Sequence, residues 1–108
     1  MLRKQNRLKK KTDFDSVYKK GYTIAGKLVF LKVLKNKTQN SRFGFIVSKK
    51  VSKKAVIRNK IKRRLRSIVK NIDIKNGIDV IITTNPEIVE KTYQEIKLEM
   101  EDLFKKLC

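Results

Sequence analysis

The sequence predicts an α/β sandwich, and three observations lead there. Between Phe43 and Thr84 the chain reads strand, helix, strand, an order that makes a parallel pair joined by a crossover helix. The helical part, from about Lys54 to Ile72, repeats its aliphatic residues at helical spacing, whereas the flanking segments carry theirs as alternating or continuous apolar runs. The 108 residues, 40% hydrophobic with four glycines and one proline, suit one domain with one modest core, since a chain of this size buries roughly 60–65% of its unfolded surface. We therefore expect residues 1–108 to form a single domain, with 1–11 as a basic, flexible arm.

Each element has its own signal. Thr12-Asp13-Phe14-Asp15 reads as a helix start: Thr12 can cap, and two acids suit the positive helix end. Phe14, Val17 and Tyr18 then share one helical face, and Gly21 ends the helix. Lys27 to Leu34 is a strand whose one face (Val29, Leu31, Val33) is wholly apolar and whose other face (Leu28, Phe30, Lys32, Leu34) is mixed. Asn36 to Ser41 is a polar turn, and Arg42 to Ser48 reads as the antiparallel return strand. In the following helix Ile57, Ile61, Leu65, Ile68 and Ile72 fall within about 60° of Ile61 at roughly 100° per residue. Arg58, Lys62, Arg66, Asn59, Lys70 and Arg63 sweep the adjoining face. Asn76-Gly77 closes this region, Ile78 to Thr84 is a short apolar strand, and Asn85-Pro86 breaks it. A last helix, from about Glu87 to Leu107, buries Ile88, Tyr93, Ile96, Met100, Leu103, Phe104 and Leu107, and its acids read as solvated surface.

Charge is distributed unevenly. The formal net charge is +19, yet residues 1–70 hold 24 Lys and Arg against Asp13 and Asp15 alone, while residues 71–108 hold five lysines against eight acids. From Ser16 to Ile72 there is no carboxylate. Such a span repels itself unless a polyanion neutralises it, so nucleic acid is the expected partner. Cations spaced i, i+4 cost a few tenths of a kcal/mol per pair in an isolated helix, and a helix that accepts several is built to lie against phosphates. No run approaches the roughly 18 apolar residues of a membrane span. Without histidine, no Ser-His-Asp or Cys-His device can form, and the single Cys108 makes neither an internal disulfide nor a zinc finger, which fits a reducing cytoplasm.

The stretch Ser48-Lys49-Lys50-Val51-Ser52-Lys53-Lys54-Ala55-Val56-Ile57-Arg58-Asn59-Lys60-Ile61-Lys62-Arg63-Arg64-Leu65-Arg66 resembles the signature of the bacterial ribonuclease P protein subunit. The flanks agree: a basic start precedes Phe14-x-x-x-Tyr18-x-x-Gly21, and Arg42-Phe43-Gly44 precedes the signature. The sequence departs from that pattern in Ser52 with an added lysine before the helix, and in Lys32, where many relatives carry an aromatic. The resemblance implies a two-layer α/β sandwich of the ribosomal protein S5 domain 2-like kind, in the order αβββαβα, with the Arg-Asn helix in a left-handed crossover. The general handedness rule predicts the opposite.

It also implies an accessory subunit of the ribonucleoprotein endonuclease that removes the 5′ leader of precursor tRNA, with catalysis and Mg²⁺ held by the RNA. No catalytic or metal-binding residue is assigned to the protein. Lys50, Lys53, Arg58, Asn59, Lys60 and Arg63 are implied to dock on the catalytic RNA. Phe14, Tyr18, Lys32, Lys49, Lys62 and Arg66 are implied to line a cleft for the leader. Partners would be one catalytic RNA per protein and precursor tRNA, with no membrane. Two other readings fit the charge: an rRNA-binding ribosomal protein, and a carboxylate-dependent nuclease using Asp13, Asp15 and Asp79.

Overall fold

A computed structural model describes residues 6–36, 40–72 and 77–106. Along them run helix α1 (Lys11–Lys20), strands β1 (Tyr22–Ala25), β2 (Val29–Lys35) and β3 (Arg42–Ile46), helix α2 (Ala55–Asn71), strand β4 (Ile78–Thr84), a 3-10 helix (Pro86–Glu90) and helix α3 (Tyr93–Lys105). The strands form one mixed sheet in the order β1-β2-β4-β3. The β1–β2 and β2–β4 pairs are antiparallel, and β3–β4 is parallel. This is the α/β architecture and the αβββαβα order expected above. Strand β1 has almost no buried residue, which is why periodicity does not single it out.

The alternation of β2 sorts the sheet into two faces. Val29, Leu31 and Val33 are buried while Phe30, Lys32 and Leu34 are half-buried. Register sets Val80 and Ile82 beside the buried set, and Phe43 and Phe45 beside those. Helix α2 adds Ile61, Leu65, Ile68 and Val69 to this face, and α3 adds Ile96, Met100, Leu103 and Phe104. The Phe43 and Phe104 rings meet edge-on at 6.4 Å. Each fully buried aliphatic side chain contributes about 1.5–3 kcal/mol, so this layer holds the fold. The opposite face has a smaller cluster of Leu8, Val17 and Ile81 with Phe14, Leu34 and Ile46 against it. Helix α1 covers only part of that face.

Several expectations need correction. The segment from Arg42 runs antiparallel to β2 but does not pair with it, because β4 lies between them. Six of the seven β4 residues are buried, so burial on both faces favours the centre for it and leaves β3 at the edge. Helix α1 begins before Thr12: the Lys10 carbonyl accepts from the Asp13 and Phe14 amides at 3.0 and 3.1 Å, so Thr12 is inside the helix and does not cap it. Gly21 is extended (φ −77°), not left-handed, and is glycine for lack of space: a Cβ there would stand 2.5 Å from the Val17 carbonyl oxygen and 2.7 Å from that of Val33. The arm is anchored from Asn6 on. Asn6 donates to the Ser41 carbonyl, Arg7 bridges to Phe43, and Leu8, 5% exposed, donates its amide to the Phe43 carbonyl. Residues 1–5 lie outside the described residues.

The last helix is also divided. Pro86 opens a 3-10 turn, and α3 starts afresh at Thr92, whose hydroxyl accepts from the Glu95 amide while the Glu95 carboxylate accepts from the Thr92 amide. That reciprocal pair satisfies two amides that a helix start leaves open. Asn76 and Leu107 lie outside the described residues. Nor are the α3 acids all solvated. Glu99 accepts from the amides of Lys27, Leu28 and Val29 at 2.9, 2.7 and 3.0 Å, which fixes the turn between β1 and β2 and delays β2 to Val29.

Candidate nucleic-acid interface

Helix α2 is led in by a loop that the sequence stiffens. The Ser48 carbonyl accepts from the Val51 amide at 3.0 Å, Ser48 and Ser52 side chains accept from the Lys50 and Lys54 amides, and Val51 is buried. Arg58, half-buried in the first turn, donates from Nη1 to the Ser52 and Lys53 carbonyls at 2.9 Å each. Its guanidinium therefore holds the loop against the helix, a role the basic pattern did not reveal. Lys49, Lys50 and Lys53 stand exposed on this loop, and Asn59, Lys60 and Arg63 on the helix beyond it. None of these six has a side-chain partner among the described residues. The first turn of α2 holds no acid. The positive helix end, four lysines, Arg63 and the uncharged amide of Asn59 thus face outward, with no carboxylate against them among the described residues.

The second set of residues gathers around the β3 edge. Phe14 lies on the backbone of Gly44, where a Cβ would come within 2.5 Å of its ring. Phe14 is therefore part of the smaller apolar cluster, and it also lines a hollow of ≈ 210 Å³ with Leu8, Phe43, Gly44, Phe45 and Arg66. Arg66 sits over the Phe45 ring at 5.9 Å, a cation–π contact. Helices α1 and α2 lie on opposite faces of the sheet, yet Phe14 and Arg66 meet in one opening. Arg66 also borders a larger hollow of ≈ 540 Å³ on the outer side of α2, with Arg63, Ser67, Lys70 and Asn71.

Tyr18, one turn after Phe14, is 43% exposed, and Lys32 lies half-buried on the α1 side of the sheet. Lys62 is half-buried one turn before Arg66. Tyr18, Lys32, Lys49 and Lys62 do not line the hollow that joins Phe14 to Arg66. Sequence reasoning missed Phe45 there, although its place two residues after Phe43 on an edge strand is the available signal. It also missed Thr83, paired in register with Phe30 and Ile46, whose hydroxyl is buried without a hydrogen-bond partner among the described residues.

Two carboxylates weighed above as nuclease ligands are engaged elsewhere. Arg42 donates from Nε and Nη2 to Asp79 at 2.9 and 2.7 Å, and from Nη1 to Asp13 at 3.1 Å. The Asp79 hydrogen bonds raise the Arg42 pKa above its already high ordinary value, against the effect of burial, and the charges of Asp79 and Asp13 add to the rise. No group of three or more His, Cys, Asp or Glu that could hold a metal occurs among the described residues.

Comparison with known proteins gives one consistent result. The family model for ribonuclease P matches residues 2–108. The chain is 38% identical to a ribonuclease P protein component of Pseudanabaena sp., over 98% of this chain and 94% of that one. It is 40% identical to the corresponding component of Alkaliphilus oremlandii, over 94% and 90%. Its backbone is similar to that of the Staphylococcus aureus RNase P protein (TM-score 0.84, 34% identity, 93% of each chain). The Thermotoga maritima RNase P protein is similar too (TM-score 0.86, 25% identity, 94% of this chain and 97% of that one).

Proposed function

The chain belongs to the ribonuclease P protein-component family, and from that premise we propose that it binds the catalytic RNA of ribonuclease P and the 5′ leader of precursor tRNA, assisting removal of the leader. The carrying observation is the row of cations on α2 and its leading loop that have no acid partner among the described residues, beside a hollow that combines an aromatic ring with a guanidinium. Lys50, Lys53, Asn59, Lys60 and Arg63 dock on the RNA subunit, and Arg58 holds their loop in place. Phosphates of a folded RNA neutralise these charges and release counterions, which makes binding strongly salt-dependent.

The leader runs along the partly covered sheet face and over the β3 edge, where Phe14 meets Arg66 from the α2 side. Tyr18 and Phe14 offer ring faces on which unpaired bases stack, at about 1–3 kcal/mol per base when complete, and Lys32, Lys49, Lys62 and Arg66 follow the backbone. Stacking tolerates any base, so leaders of varied sequence share one groove. The described carboxylates do not form a set that fits Mg²⁺, Asp13 and Asp79 both being bound by Arg42. In this reading Mg²⁺ and the cleavage step belong to the RNA subunit and its substrate, in the cytoplasm, with one protein per RNA.

The test is reconstitution. Purified protein added to its cognate catalytic RNA should restore cleavage of precursor tRNA at a Mg²⁺ concentration where the RNA alone is inactive. Failure to restore it overturns the assignment. The groove is tested separately: the holoenzyme should bind precursor more tightly than mature tRNA, and Tyr18→Ala should shrink that difference while leaving assembly intact.

A further inference from the structure

Helix α1 presents the aromatic residues of the groove, and it has only ten residues, too few to hold a helical conformation without support from the rest of the molecule. Its orientation must therefore be set by contacts. Three are apolar or steric: Val17 is buried with Leu8 and Ile81, Phe14 rests on Gly44, and Gly21 abuts the Val33 carbonyl. The fourth is a charge network at the N-terminal end, which alone is directional. Asp79, 4% exposed on β4, accepts two hydrogen bonds from Arg42 and a third from Asn36 Nδ2 at 2.7 Å, so the Arg42 fork is locked to the sheet. The one terminal nitrogen left over reaches Asp13, in the first turn of α1. Fork geometry makes such a guanidinium directional in a way that a lysine cannot reproduce.

We propose that Arg42, fixed by Asp79, is a positioning residue for single-strand binding: through Asp13 it sets the angle at which α1 presents Phe14 and Tyr18 to the leader. This rests on the groove reading above. Arg42 does not act as a phosphate contact, because its Nε, Nη1 and Nη2 are each engaged by Asp79 or Asp13. Its effect is geometric. Asp13 immediately precedes Phe14 and stands five residues before Tyr18, so releasing it lets both rings shift while the Arg42–Asp79 pair and the sheet stay intact.

The experiment compares holoenzymes assembled from full-length wild type, Asp13→Asn, Asp15→Asn and Arg42→Lys, reading the ratio of dissociation constants for mature and precursor tRNA. Asp15 is exposed on the same helix without a partner among the described residues, so Asp15→Asn makes the same charge change without touching the anchor. Asp13→Asn and Arg42→Lys should lower the ratio about three- to tenfold. Asp15→Asn should leave it at the wild-type value, and Asp13→Glu should recover part of the loss. Affinity for the catalytic RNA should be the same for Asp13→Asn and Asp15→Asn. A merely structural role would move the melting temperature and leave the ratio alone. Asp13→Asn with a wild-type ratio, or Asp15→Asn with an equal loss, overturns the proposal. A wild-type holoenzyme with no preference for precursor overturns the groove reading itself, and the anchor's role with it.

Discussion

Replacing Glu99 by alanine should be among the most costly single changes in the molecule. One Glu99 oxygen accepts from the Lys27 amide, and the other from those of Leu28 and Val29. Water can replace the carboxylate at exposed Lys27, but Leu28 is 7% exposed and Val29 0%, so their amides would be left unpaired. A buried amide without a partner costs about 1–3 kcal/mol, which gives roughly 2–6 kcal/mol for the two. Domains of this size have about 5–15 kcal/mol of stability in all. The melting temperature should fall by at least about 8 °C, at roughly 4–8 °C per kcal/mol. Glu99→Gln keeps one acceptor and turns a donor towards an amide, so it should fall between wild type and Glu99→Ala. Urea and thermal unfolding followed by circular dichroism, without RNA so that ligand binding does not mask the loss, give the order. An alanine variant within about 1 kcal/mol of wild type would refute the reasoning, since it would mean that water reaches the turn.

Gly44→Ala should cost about 1–3 kcal/mol by pushing the Phe14 ring off β3, and less than that in a Phe14→Leu background; urea midpoints of the four proteins test the coupling, and equal costs in both backgrounds count against it. Thr92→Ala should lose about 0.5–2 kcal/mol through the missing cap, read from the same unfolding curves. The Glu95 pKa lies below its ordinary value of 4.5, chiefly through the Thr92 amide and then its hydroxyl. The stability it lends is therefore present above that value and lost as pH falls through the lowered one, and Glu95→Gln should flatten the acid limb of stability against pH. Arg58→Ala should reduce the log–log salt slope of catalytic-RNA binding by more than the roughly one unit of a single phosphate contact, because the lysines of the loop are released with it. A slope change equal to that of Lys60→Ala would count against the loop-holding role.

The elements that were legible are those whose burial is strongly periodic. Helix α2 starts and ends within a residue of the expected Lys54 to Ile72, and β4 coincides with its apolar run. What escaped is set by long-range partners. Strand β1 is exposed and exists because β2 offers an unpaired edge. Nothing local to Arg42 says that its neighbour is β4, which arrives only after α2. Thr92 and Glu95 have the spacing of three that marks a helix start, but the apolar residues from Ile88 hide the break, and one helix from Glu87 is expected. At the candidate site, the unpartnered cations could be read from the missing acids. The distinction between Arg58, which ties down a loop, and Lys60, which ties down nothing, could not.

That distinction bears on why the partner should be a large polyanion. Of the ten carboxylates, Asp13, Asp79, Glu95 and Glu99 each accept hydrogen bonds from donors of this chain, where they hold a helix end, the Arg42 fork, a helix start and a turn. These four acids are thus placed where the fold needs acceptors, and Asp13 and Asp79 are both bound by Arg42. Among the described residues the cations of α2 receive no such counterpart, although the helix itself is held firmly by Ile61, Leu65, Ile68 and Val69. Packing has to outweigh their mutual repulsion in the free protein. A small anion would neutralise one or two of these charges and leave the rest opposed. A phosphate backbone, repeating its charge at a few ångströms along a surface as long as the helix, meets them together.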